Sequence, residues 1–298
     1  MLSLVFLLYF ICAATFTLAK ATLLYAQPIF YVGVRMVVAG TLLLGLSCWQ
    51  KSIKKIVPNA RPLFIQIIFF NIYFAYVLDL WSLHYLTSIE SSVVFNLSPF
   101  AAALFSYFWF AEVMTPKKWL GLFLGFISLV PMLFVRADDF ISFDTYRILP
   151  IILLLCSVFS SAYGWIVMRA LIKDYDYSPF FINGIGMLGG GILALATSAT
   201  LESWSPSPVF DWPQFALCTV AMIVLANGLF SNLYSYLLKF YTATFISFAG
   251  FSCPLFTMLL GWFFLGEPLS GRFFYALIGV CCGLLLFYQE ELRQGYEA

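Results

Sequence analysis

Charge is scarce in this chain. Asp, Glu, Lys and Arg supply 10% of its 298 residues, against about 25% in a soluble domain. Hydrophobic residues fill 63%, where about 45–50% is usual. An ordinary soluble domain is therefore excluded. Neither sign dominates, with 15 basic and 14 acidic residues, so no global charge draws nucleic acid or an acidic partner. His84 is the single histidine. The chain has no HExxH, no GxSxG and no paired carboxylates at helical spacing, so nothing marks a membrane-embedded enzyme. It also has no ring of charged or filter-like residues of the kind a channel uses. The seven cysteines lie in apolar runs with neither a CxxC pair nor metal-ligand spacing, and they read as small packing residues. No cofactor or metal is expected. Met1 to Ala19 lacks a basic leader, and its apolar run exceeds the about 7–15 residues of a signal peptide. It reads as an uncleaved first span.

Apolar runs are abundant. A spanning helix needs about 20 such residues, because lipid offers the backbone no hydrogen bonds. The expected spans are Leu2–Leu24, Ile29–Trp49, Leu63–Tyr85, Ile89–Ala111 and Lys118–Arg136. Five more are Ile148–Ala170, Pro179–Thr200, Gln214–Leu238, Ala243–Leu265 and Arg272–Gln289. Runs this continuous are not the alternating strands of a barrel. Proline-bearing breaks such as Gln27-Pro28, Thr115-Pro116 and Ser178-Pro179 separate them. Lys51, Lys54, Lys55, Arg61, Lys117, Lys118, Arg169, Lys173, Lys239 and Arg293 collect on one side, which predicts cytoplasmic N- and C-termini in an inner (cell) membrane. The opposite loop around residues 137–147 is acidic.

The chain also repeats itself. At an offset of 155, Leu83, Thr87, Ser92, Pro99, Phe108 and Glu112 fall on Leu238, Thr242, Ser247, Pro254, Phe263 and Glu267. At 151, Pro28, Gly33, Met36 and Gly40 fall on Pro179, Gly184, Met187 and Gly191. Five spans per half is an odd number, so the second half must be inverted, the architecture of many secondary carriers. The expected fold is thus all-α and polytopic, with ten transmembrane helices as two inverted five-helix repeats. Residues 1–136 and 148–289 form the repeats, 137–147 the linker and 290–298 a tail.

The first copy carries His84-Tyr85-Leu86-Thr87-Ser88, Leu97-Ser98-Pro99, Ala111-Glu112 and Trp119-Leu120-Gly121. The second carries Phe240-Tyr241-Thr242-Ala243, Cys253-Pro254-Leu255-Phe256 and Leu265-Gly266-Glu267-Pro268-Leu269. These stretches resemble the EamA repeat of the drug/metabolite transporter superfamily. The resemblance spans nearly the whole chain and implies a ten-helix carrier or exchanger that works without ATP. Ala111 stands where the family usually has glycine.

Ionisable groups at membrane depth are costly and mark candidate sites. Arg35, Asp79, Lys20 and Glu90 fall inside spans of the first half. The second half has Gly186, Tyr234 and Phe245 at the positions of Arg35, Asp79 and Glu90, so the set is asymmetric. One reading is a buried structural pair, Arg35 with Asp79. The other is a solute site in which Arg35 or Lys20 takes a carboxylate and Asp79 or Glu90 a cation, which suits a zwitterion. Tyr76, Trp81, Tyr163, Trp165 and Tyr234 are candidates to stack on a flat ring or a cation. Asn71, Asn96, Asn183, Asn227 and Asn232 add neutral polar groups. Pro99 and Pro254 read as mid-span bends or hinges. Glu112 and Glu267 read as structural acids that cap the next helix or pair across a loop.

A secondary carrier of an amino-acid-like or nucleoside-like metabolite follows. The superfamily includes exchangers of S-adenosylmethionine for S-adenosylhomocysteine, and exporters of amino acids. A proton or an exchanged metabolite is the candidate coupling partner. The reading from another class is a non-transporting membrane scaffold.

Overall fold

The computed structural model describes residues 2–86, 91, 94–133, 145–205, 207–256, 259 and 271–295. Every regular element among them is helical. The helices are α1 (Leu2–Thr22), α2 (Pro28–Trp49), α3 (Arg61–Gln66), α4 (Ala75–Tyr85), α5 (Ser98–Phe110) and α6 (Pro116–Leu133). They continue as α7 (Thr145–Lys173), α8 (Pro179–Leu201), α9 (Trp212–Met222), α10 (Ser231–Leu237), α11 (Ala243–Ala249) and α12 (Gly271–Gln294). Six continuous helical stretches among the described residues are long and apolar enough to cross a membrane. Large apolar side chains such as Leu42, Ile65, Leu217 and Ile278 are exposed along them, as a lipid-facing surface requires. The chain is a polytopic membrane protein.

Proline sets the helix starts. Pro28, Pro116 and Pro179 open α2, α6 and α8, where a missing N–H breaks no ladder bond and the fixed φ suits a helix. Asp211 caps α9, accepting the Gln214 N–H at 3.2 Å.

Two features were not expected. Eight-residue π-helical segments, Ile67–Phe74 and Ile223–Phe230, join α3 to α4 and α9 to α10. They begin 156 residues apart in the chain. Such wide turns misalign carbonyls, and here side chains supply donors. Ser160 Oγ donates to Phe70 O at 2.8 Å and Ser157 Oγ to Ala75 O at 2.6 Å. In the later segment Asn232 Nδ2 donates to Asn227 O and Gly228 O, both at 2.9 Å.

The second feature corrects the reading of Pro99 and Pro254 as bends in continuous helices. The chain turns at Asn96 and Leu97 and restarts as α5, with Pro99 in its first turn. After α11 it turns again at Gly250 and Phe251 and resumes helix over 252–256, with Pro254 third in line. Each proline initiates a segment and removes no ladder bond. The turns before them make the interruption.

Two close crossings hold the bundle. At the α2–α8 crossing a Cβ on Gly33 would lie 2.6 Å from Leu195 Cγ, and one on Gly184 would lie 2.9 Å from Leu44 Cγ. At the α6–α12 crossing a Cβ on Gly121 would lie 2.7 Å from Gly283 O. Lipid tails remove the hydrophobic drive between helices, so backbone approach at small residues provides the attraction. This places the glycines of α8 in packing.

Candidate solute-binding site at mid-span

Arg35 lies two turns into α2 and is 2% exposed. Its sequence neighbour one turn back, Tyr31, accepts a hydrogen bond from Nη1 at 3.3 Å. The guanidinium carbon sits 5.0 Å from the Tyr31 ring centre and 5.2 Å from that of Tyr76 on α4. Two electron-rich faces thus stand in for water around the cation. Nε has no partner.

Asp79, on the same helix as Tyr76, is half-buried and within electrostatic reach of Arg35. Among the described residues no ion pair of 4 Å or less joins them. A contact pair Arg35–Asp79, the structural reading of these charges, is therefore not formed. Both signs stand side by side with neither neutralised by contact.

The second half supplies aromatic and neutral polar groups. Tyr76 lies beside Ser231 at the start of α10. On that helix Tyr234 stacks on Trp165 of α7, with centroids 4.0 Å apart at 23°. Its hydroxyl shares a 3.0 Å hydrogen bond with Ser247. Tyr9 and Cys12 of α1 border the same group, and Tyr9 donates to Ile246 O at 2.6 Å. Asn183 Nδ2 donates to Asn232 Oδ1 and Ser235 Oγ, each at 3.0 Å. Asn227 Nδ2 faces the sulfurs of Met36 at 3.1 Å and Met187 at 3.5 Å.

Arg35, Asp79, Tyr76, Trp165 and Tyr234 are thus gathered by helices distant in sequence. Tyr163 and Trp81 are not. Tyr163, two positions from Trp165, turns the other way, donating to Gln66 Oε1 at 3.0 Å and packing on Phe70, Phe105 and Trp109. Trp81 packs on Tyr85 at 4.7 Å. With Gln27, His84 and Glu202 it lines a cavity of about 290 Å³ at the end of the bundle where α2 begins. Lys20 lies on α1, but its side chain is outside the described residues, as are Glu90 and Glu267 entirely.

Tyr31, Tyr9 and Ser231 were missed. Only Tyr31 left a usable trace, standing four residues before Arg35 on one helix face.

Several acids at the two ends have specific partners. Glu202, at the end of α8, accepts the Ile29 and Phe30 N–H groups of α2, both at 2.7 Å. It is a borrowed cap that also faces the positive end of the helix dipole. At the opposite end Glu112 pairs with Arg169 of α7, whose guanidinium lies 4.7 Å from the Phe110 ring. Glu112 therefore ties α5 to α7, and Thr115 takes the capping position expected of the acid, facing the Lys118 N–H at 3.4 Å. Lys118 meets Glu291 of α12 at 3.3 Å, and Glu291 also accepts from Thr242. Lys118 and Arg169 are 1% and 4% exposed. They are internal partners.

Among the described residues, then, opposite charges stand within the helical bundle without a contact pair and near a stacked pair of aromatic rings. The chain belongs to the EamA-like transporter family, which matches residues 1–134 and 148–289. A Chlamydia trachomatis protein named S-adenosylmethionine/S-adenosylhomocysteine transporter is 36% identical over 98% of this chain and 90% of its own. A Chlamydia muridarum protein of the same name is 35% identical over 98% and 93%. A Bacillus subtilis protein named as an uncharacterized transporter is 25% identical over 90% and 83%. A solved crystal structure at 16% identity shares the fold, with TM-score 0.79 over 98% of this chain and 97% of its own.

Proposed function

We propose that the chain exchanges S-adenosylmethionine for S-adenosylhomocysteine across a bacterial inner membrane. The observation that carries this reading is the mid-span meeting of Arg35, Asp79 and Tyr76 with the Trp165–Tyr234 stack. A zwitterionic amino-acid end, a sulfonium and a flat base need an anion site, a cation site and ring faces in one place. Arg35 takes the carboxylate and Asp79 a positive group, with Lys20 and Glu90 as reserves. Exchange of two similar solutes needs no coupling ion, which fits so few protonatable groups in the spans.

The machinery in this reading is ten spans in two inverted repeats, residues 1–136 and 148–289, with both termini cytoplasmic and no enzymatic role. The reciprocal contacts Gly33–Leu195 and Gly184–Leu44 support it, since both members of one pair lie 151 residues from those of the other. The matched π-helical segments and broken spans support it further. Equivalent halves can exchange inward- and outward-open shapes, with the turns before Pro99 and Pro254 as hinges.

The test is uptake of labelled S-adenosylmethionine in a bacterial host that lacks such uptake. Saturable uptake, accelerated when the cells are preloaded with S-adenosylhomocysteine, is expected. No uptake from a protein shown to be in the membrane overturns the reading.

A further inference from the structure

The amides of Asn183 and Asn227 are 1% and 0% exposed, and each has a side-chain oxygen with no donor. Their orientation follows from their partners. Asn232 spends Nδ2 on two π-segment carbonyls, so its Oδ1 is an acceptor and Asn183 must present Nδ2 to it. The Asn227 neighbours are thioether sulfurs, which only accept, so its Nδ2 faces them. Both oxygens are left over.

Their surroundings connect them to the solute site. Asn183 and Met187 are one turn apart on α8, and Met187 touches Asn227. Asn183 also contacts Ser231, the residue beside Tyr76. Met36, on the other side of Asn227, follows Arg35 in the chain. The two amides are thus linked to the charged and aromatic groups through Ser231, Met187 and Met36. A buried acceptor without a donor is a standing penalty unless something supplies one. The neighbouring π-segment carbonyls are already filled by side-chain donors, which argues against a metal cation as the occupant.

We propose that Asn183 Oδ1 and Asn227 Oδ1 read an exocyclic amine on the solute's heteroaromatic ring, and so select a 6-aminopurine over a 6-oxopurine. With both Nδ2 groups engaged, the amides accept and do not donate. They reward an N–H donor and confront a carbonyl with lone-pair repulsion. This rests on the exchange proposed above and assigns its base specificity.

The experiment compares two competitors of labelled S-adenosylmethionine uptake by the full-length protein: S-adenosylhomocysteine and its 6-oxo analogue. The wild type is expected to prefer the amine at least about tenfold, the scale of one satisfied buried hydrogen bond. In Asn227→Leu the ratio falls toward one. Asn227→Ser and Asn183→Ser are measured as well, so the test survives if one protein fails to reach the membrane. The ratio within each variant does not depend on expression level. An unchanged ratio in variants that still transport overturns the proposal and leaves the oxygens to bound water. Absence of uptake by the wild type is a different outcome, since it removes the exchange reading itself.

Discussion

The protein buries charge in two regions and treats it in opposite ways. At the Glu112 end, Glu112 meets Arg169, Lys118 meets Glu291 and Glu291 also accepts from Thr242, so each of these buried charges has a contact partner. At mid-span Arg35 is held by aromatic faces and one tyrosine hydroxyl, and Asp79 has no ion-pair contact among the described residues. A paired buried charge ties helices together. An unpaired one at membrane depth keeps its capacity for something else. Burial alone does not separate these roles; the partner list does.

Removing charge at mid-span should have the largest effect. Arg35→Gln and Asp79→Asn are each expected to lower solute uptake more than tenfold while the folded, membrane-inserted protein is retained, measured by transport beside detergent-solubilised size exclusion. Wild-type rates in both would erase the distinction. The Glu112 end should answer the other way. Glu112→Gln leaves Arg169 buried without its anion, at about 3–5 kcal/mol, so folded protein is lost. Replacing both residues with leucine restores much of it. Reduced affinity with normal yield would mean that these pairs belong to the solute site.

Smaller changes sharpen the contrast. Glu202→Gln removes the charge from a cap that serves two backbone donors, and about 1–2 kcal/mol of stability should go with it, read as a lower melting temperature. Ala111 sits at φ 50°, in the left-handed region where a Cβ is disfavoured. Ala111→Gly is expected to raise stability by up to about 1 kcal/mol. The exposed pair Lys54–Asp176, at 2.6 Å, marks the lower limit. The Lys54 hydrogen bond and charge hold the Asp176 carboxyl below its ordinary value. The contribution is present at neutral pH, above the usual carboxylate range, and disappears as acid protonates the folded group. Lys54→Ala should leave the neutral-pH melting temperature unchanged within error.

Much of this was legible in the residues. Proline at the breaks announced the helix starts, because φ and the missing N–H act locally. The departure at Ala111 from the glycine usual in the family finds its reason in a backbone angle that glycine adopts freely. The first π-helical segment left no trace, since its side-chain donors Ser157 and Ser160 reach in from another helix. The positions of Pro99 and Pro254 were right, but their effect was misread, because a break made by the preceding turn looks in sequence like a kink at the proline.

The sequence by itself determined that this is a helical membrane protein of two related halves with few charges at depth. Composition and spacing suffice there, because lipid forces every backbone group into a helix. Only the tertiary structure decided which charges are spent. Arg169 and Lys118, which the sequence marks only as basic residues of one side, are internal partners. Tyr163 and Trp165, two residues apart, face different neighbours. Arg35 and Asp79 approach without pairing. Those outcomes depend on distances between helices far apart in the chain, and no local pattern encodes them.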